Sequence, residues 1–142
     1  MVAELDGIVA GLVLPESLLR LTAGGRVRLR YDAERIREVF QEEGGYLFEL
    51  FDPAAIGRQT ADFRREARGD EEERELWVVP GVGIDPERSL LIGSLGADMP
   101  IALDYRGDPA EPRVLYCGAD GWRVVAENVN RFLSLVGIGS AE

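Results

Sequence analysis

Leu90-Leu-Ile92, Ile101-Ala-Leu-Asp-Tyr105 and Val114-Leu-Tyr-Cys117 follow one another with only short stretches between them. Each run is apolar, bounded by turn residues and too short for a typical helix, so each reads as a strand. Connections this brief suit an antiparallel meander, because parallel strands need a long crossover. The fold is therefore expected to rest on an antiparallel sheet.

Downstream, Asp120-Gly121 is a turn dipeptide. A final helix is expected from about Val124 to Val136. Val125, Val129, Phe132 and Val136 recur at helical spacing and form one apolar face. Upstream, Pro80 to Glu87 is a Gly/Pro-rich loop, and Leu76-Trp-Val-Val79 is a buried-type strand with Trp77 in the core. Arg68 to Glu75 is an acidic run that reads as an exposed connection. Asp52-Pro53 caps a helix from roughly Ala54 to Ala67, with Ile56 and Phe63 marking its buried side. Arg64, Arg65 and Arg68 are expected on its exposed side, paired with nearby carboxylates.

Tyr46-Leu-Phe-Glu-Leu-Phe51 is strand-like by its aromatics. Before it, Asp32 opens a helix from Ala33 to about Glu43, with Ile36, Val39 and Phe40 on its apolar face and Gly44-Gly45 as its stop. Arg26-Val-Arg-Leu-Arg-Tyr31 alternates strictly and reads as a half-buried strand with arginines outward. An opening helix is expected over Leu12 to Leu21, with Pro15 in its first turn and Gly24-Gly25 at its end. These elements make an α+β fold: a mainly antiparallel sheet of about five to six strands flanked by helices. Residues 1–142 are expected to form a single domain, since the length fits one core and no linker divides it.

Composition narrows the function. The chain has no histidine, one cysteine and no lysine, since all 16 basic residues are arginine. Without histidine there is no Ser-His-Asp or Cys-His pair and no imidazole proton transfer. A lone Cys117 excludes an internal disulfide, and a Cys/His zinc or iron–sulfur site has no ligand set here. The absence of lysine removes the phosphate-loop lysine and the Schiff-base nucleophile. Carboxylate chemistry or a magnesium site survives, and neither has a local signature. No catalytic residue, metal ligand or cofactor is therefore expected. Gly81-Val-Gly83 lacks the third glycine of a dinucleotide fingerprint and reads as a loop.

The 26 acidic residues leave a net charge of −10 at pH 7. That disfavours nucleic acid, itself densely negative, and favours encounter with a basic protein. The apolar run Gly7 to Leu14 is shorter than the ~18 residues of a membrane span and follows acidic rather than basic residues. No membrane association is expected, and the expected location is cytoplasmic, where a single cysteine stays reduced.

Several stretches in order resemble one family. They are Leu91-Ile-Gly-Ser-Leu95, Pro100-Ile-Ala-Leu-Asp-Tyr-Arg106, Pro112-Arg-Val-Leu-Tyr116, Gly121-Trp122, and Val125-Ala-Glu-Asn-Val129 leading to Phe132-Leu133. The opening Leu14-Pro15-Glu16-Ser17-Leu18-Leu19-Arg20-Leu21, closing at Gly24-Gly25, fits too. Together they are similar to the SUKH superfamily, named for a fungal cell-wall-synthesis regulator and related bacterial proteins. The resemblance covers about the first 25 and last 50 residues. It departs from the family in the short segment before Leu14 and in Ala23, where asparagine is common. It implies a curved sheet flanked by helices and a non-catalytic protein-binding role. Most of the family are immunity proteins that neutralise a cognate toxin; the fungal relatives imply an intracellular scaffold or regulatory domain instead.

Partner-binding candidates follow from charge and side-chain type. The acidic run Asp70, Glu71, Glu72 and Glu73 reads either as a mimic of nucleic-acid phosphates towards a nuclease toxin or as a solvated loop. Asp104 reads either as a polar contact on a binding face, with Arg106 beside it, or as a carboxylate that holds a turn or an arginine. Trp122 reads either as a hot-spot anchor or as a side chain packed across the sheet end. Cys117, in an apolar strand, reads as a small inert hydrophobe.

Overall fold

Alternation along the strands sets up a sheet with two covered faces. The computed structural model of the chain describes residues 8–25, 27–30, 38–40, 47–69, 83–95, 99–118 and 121–136, with backbone only at 28–30, 47 and 67–69. Two short strands come first, β1 (Ile8–Val9) and β2 (Leu12–Val13), followed by helix α1 (Glu16–Leu21). The main sheet contains β3 (Val27–Arg30), β4 (Leu47–Leu50), β5 (Ser89–Ser94), β6 (Pro100–Asp104), β7 (Arg113–Gly118) and β8 (Gly121–Ala126). Helix α2 (Pro53–Gly69) lies between β4 and β5, and α3 (Val129–Leu135) follows β8. Residues 38–40 are also helical.

The six strands lie side by side in chain order, and every neighbouring pair is antiparallel. The architecture is α+β, as the sequence leads one to expect. On one face Leu90, Ile92, Ile101, Leu103, Val114 and Tyr116 join Leu18 of α1, Phe40, and Phe132 of α3 in the larger core. The intervening residues Ala102, Leu115 and Trp122 turn to the other face and pack with Phe63 of α2 and Ile84. Residues two apart share a face, so β6 is buried on both sides through Asp104. Phe40 anchors the larger core, its ring centroid 5.1 Å from Tyr116 and 6.2 Å from both Phe48 and Phe132.

The two end helices differ from expectation. Leu12 and Val13 do not begin a helix; they pair back onto Val9 and Ile8 in a hairpin. The two-residue loop Ala10-Gly11 has positive φ at both positions, 51° and 85°, which matches the twist of a tight hairpin. Pro15 then stands immediately before α1 and sets its start. At the other end, Val124 and Val125 are strand residues in β8, where Val124 pairs with Leu115 of β7 and Val125 falls at a shift in the register. The helix begins only after Asn128, whose side chain accepts from Arg131 N at 2.8 Å. Two adjacent β-branched residues favour the pleat, and the asparagine cap places the boundary.

Helix α2 follows its sequence signals. Asp52 Oδ1 accepts from Ala55 N at 2.9 Å, and Pro53 occupies the first turn. Ile56, Thr60 and Phe63 form its buried stripe. Of the connection expected over Arg68 to Glu75, Arg68 and Gly69 belong to α2 instead, while residues 70–75, the expected strand Leu76–Val79 and the turn residue Asp120 lie outside the described residues.

Candidate functional site

Asp104 ends β6 directly opposite Arg113 of β7. Its carboxylate is wholly buried. Arg106 donates to Oδ1 from its backbone N at 3.1 Å and from Nε at 2.8 Å, and to Oδ2 from Nη2 at 3.2 Å. Arg113 donates to Oδ2 from Nε at 3.1 Å and from Nη2. Burial works to raise the Asp104 pKa, but the hydrogen bonds from Arg106 and Arg113 outweigh it and leave the pKa below the ordinary value. Arg106 Nη2 also donates to Gly83 O at 3.1 Å, so the same guanidinium ties β6 to the segment ahead of β5. The carboxylate is engaged on both oxygens. The part of this cluster that reaches solvent is its two arginines, with 29% and 40% of their side chains exposed.

Trp122 is also internal, with its ring against Phe63 of α2 at 6.5 Å between centroids. Asp70, Glu71, Glu72 and Glu73, together with Trp77 and the outward arginine row of Arg26, Arg28 and Arg30, lie outside the described side chains. Cys117 is half-buried beside the smaller core, and burial raises its thiol pKa, which keeps the unreactive thiol form.

The arginines of α2 divide their work. Arg65 pairs with Asp62 one turn earlier, as its helical spacing predicts. Arg64 turns instead to backbone carbonyls, donating from Nε to Pro86 O at 2.8 Å and from Nη1 to Ala10 O at 3.0 Å. It thereby joins α2 to the β1–β2 hairpin and to the turn before β5. Tyr105 fastens the same hairpin from the sheet side, its hydroxyl donating to Val13 O at 2.6 Å. Burial raises the phenol pKa, so this donor stays protonated.

A groove of about 410 Å³ opens between α2 and the β5–β6 edge of the sheet face. Gln59, Asp62, Phe63 and Glu66, spaced along one side of the helix, form its wall. Phe51, Leu91 and Met99 give it an apolar floor. Its geometry depends on an irregularity in β5, where the register with β6 shifts between Leu91 and Gly93. The Leu91 N–H bonds to the buried Thr60 hydroxyl of α2 at 3.0 Å. Gly93 is required there, because a Cβ would stand 2.1 Å from Glu49 O of β4.

The sequence carries no distinct signal of this groove. The only available signal was the second stripe on α2, adjacent to the buried one, and its charges read equally well as a solvated helix face. Among the described residues no group of three Asp, Glu, Cys or His side chains is placed to hold a metal ion. No helix among them is long and apolar enough to cross a membrane. The chain matches no protein-family model, no curated protein and no solved structure.

Proposed function

We propose that the chain is a non-catalytic protein-binding domain that neutralises a cognate toxin, a basic protein such as a nuclease, by direct binding. The observation that carries this reading is the combination of a net charge of −10 with the complete absence of histidine and lysine. Such a chain has no imidazole for proton transfer and no lysine nucleophile, and a strong field remains to draw a basic partner into contact. The similarity of its terminal segments to the SUKH superfamily supports the same reading, and within that superfamily it favours immunity over regulation.

The test is a binding titration against catalytically inactivated toxin domains encoded by the genes beside this one. A one-to-one complex with a dissociation constant well below about 1 μM, whose association slows as salt is raised, is the expected outcome. Failure of every neighbouring candidate to bind at micromolar concentration would overturn the toxin assignment. A housekeeping partner recovered in its place would point to the scaffold role seen in the fungal relatives. Turnover of a substrate by the purified chain would replace both readings with a carboxylate enzyme.

A further inference from the structure

The groove beside α2 has the shape and charge of a docking seat. Its wall carries two carboxylates, Asp62 and Glu66, and among the described residues no arginine lines it. Asp62 shares its charge with Arg65, while Glu66 is exposed and has no ion-pair partner among the described residues. Its floor is apolar, and Met99 there is a side chain that adapts to varied shapes. At about 410 Å³ the space is of small-ligand size, so it takes a few side chains rather than a whole helix face. Carboxylates above an apolar floor complement a cationic side chain next to an apolar one.

We infer that this groove receives a short segment of the partner protein in which an arginine or lysine adjoins an apolar side chain. The cation meets Glu66 and Asp62, and the apolar group packs on Phe51, Leu91 and Met99. The inference rests on the protein-binding reading and assigns it a surface. Gln59 and Ser94, at the polar edge, are placed to hydrogen-bond the segment's backbone.

The experiment uses the full chain and two kinds of probe. The first is a pair of short peptides, one alternating arginine with leucine and one alternating glutamate with leucine, titrated into isotopically labelled protein. The arginine peptide is expected to shift the backbone amides of Gln59 to Glu66 and of Leu91 to Ser94 saturably, and the glutamate peptide is expected to shift neither. Glu66→Arg is expected to weaken the arginine peptide about tenfold, against less than about twofold for Glu127→Arg, an equal charge change at the β8–α3 junction. Shifts scattered over all the acidic faces, or equal effects of the two substitutions, would overturn the inference.

The second probe is an inactivated toxin domain that binds the wild-type chain. If it binds Glu66→Arg and Glu127→Arg equally well, the groove is not the seat, while the protein-binding function stands. If no toxin domain binds but the arginine peptide still occupies the groove, the seat stands and the neutralising function falls. Both substitutions fall on exposed side chains outside the core.

Discussion

Removing a carboxylate from water is costly, and Asp104 is tolerated because Arg106 and Arg113 both reach it. Two cations on one anion leave the cluster with an excess positive charge, which the half-exposed guanidiniums share with solvent. Losing the anion is therefore worse than losing either cation. Asp104→Asn keeps the shape but leaves two arginines facing a neutral amide, and it is expected to destabilise the fold by about 3 kcal/mol, read from the midpoint of urea unfolding. The pH dependence follows from the sign of the shift. The folded pKa lies below the ordinary 3.8, so the unfolded chain takes up the proton first as pH falls. The stabilisation is present above that unfolded value and is lost as pH drops towards the folded one. Wild-type stability should therefore fall steeply below about pH 4, and the Asn variant should show a shallower acid limb. An unchanged acid limb in the variant would remove Asp104 from this role. At this scale the sequence offered both readings of Asp104 in a strand. What it did not carry was the cross-strand register that sets Arg113 opposite.

An irregular strand and a helix are joined at β5. The bulge near Leu91 disturbs the ladder with β6, and Thr60 of α2 bonds to the Leu91 N–H. Thr60 is fully buried, so its hydroxyl fixes the height at which α2 sits over the sheet and forms the groove wall. Thr60→Val conserves volume but removes the acceptor from a partly buried N–H, and a loss of about 1 kcal/mol in urea unfolding is expected. Thr60→Ser restores the acceptor and should recover most of it; equal losses in the two variants would show that only packing matters. This link was invisible in the sequence, because nothing around Gly93 distinguishes a bulge from a turn. The same limit explains both misplaced helix ends. Val125 fits the apolar spacing of the last helix as well as it fits β8, and spacing alone carries no boundary. In the β1–β2 hairpin the left-handed Ala10 is unfavourable for a residue with a Cβ, so the usual Gly or Asn signal was missing at that position. By contrast, β4 to β7 and the start of α2 were legible. Their apolar runs, turn residues and the Asp52-Pro53 cap all point to the same structure.

At the scale of the whole molecule, the residue inventory makes a prediction that also separates binding from catalysis. Near neutrality the side chain that titrates at its ordinary pKa is histidine, and this chain has none. Carboxylates ionise well below that region and arginine well above it, while burial moves Cys117 upward and away from neutrality. Folding should then neither take up nor release protons through side chains across neutral pH. By linkage, stability varies with pH only where the folded and unfolded chains bind different numbers of protons. The unfolding free energy is therefore expected to be flat between about pH 6.5 and 8, measured by urea denaturation at fixed salt. An acid–base enzyme built from carboxylates needs one of them held protonated near neutrality, as an acid must be to donate. Such a group has a folded pKa far above its unfolded one, and stability would then decline as pH rises through the neutral range. A slope of that sign would argue for catalysis and against a domain that works by charge and shape. A flat profile is the outcome expected of the proposed binding role, in which net negative charge and the groove beside α2 meet a basic partner.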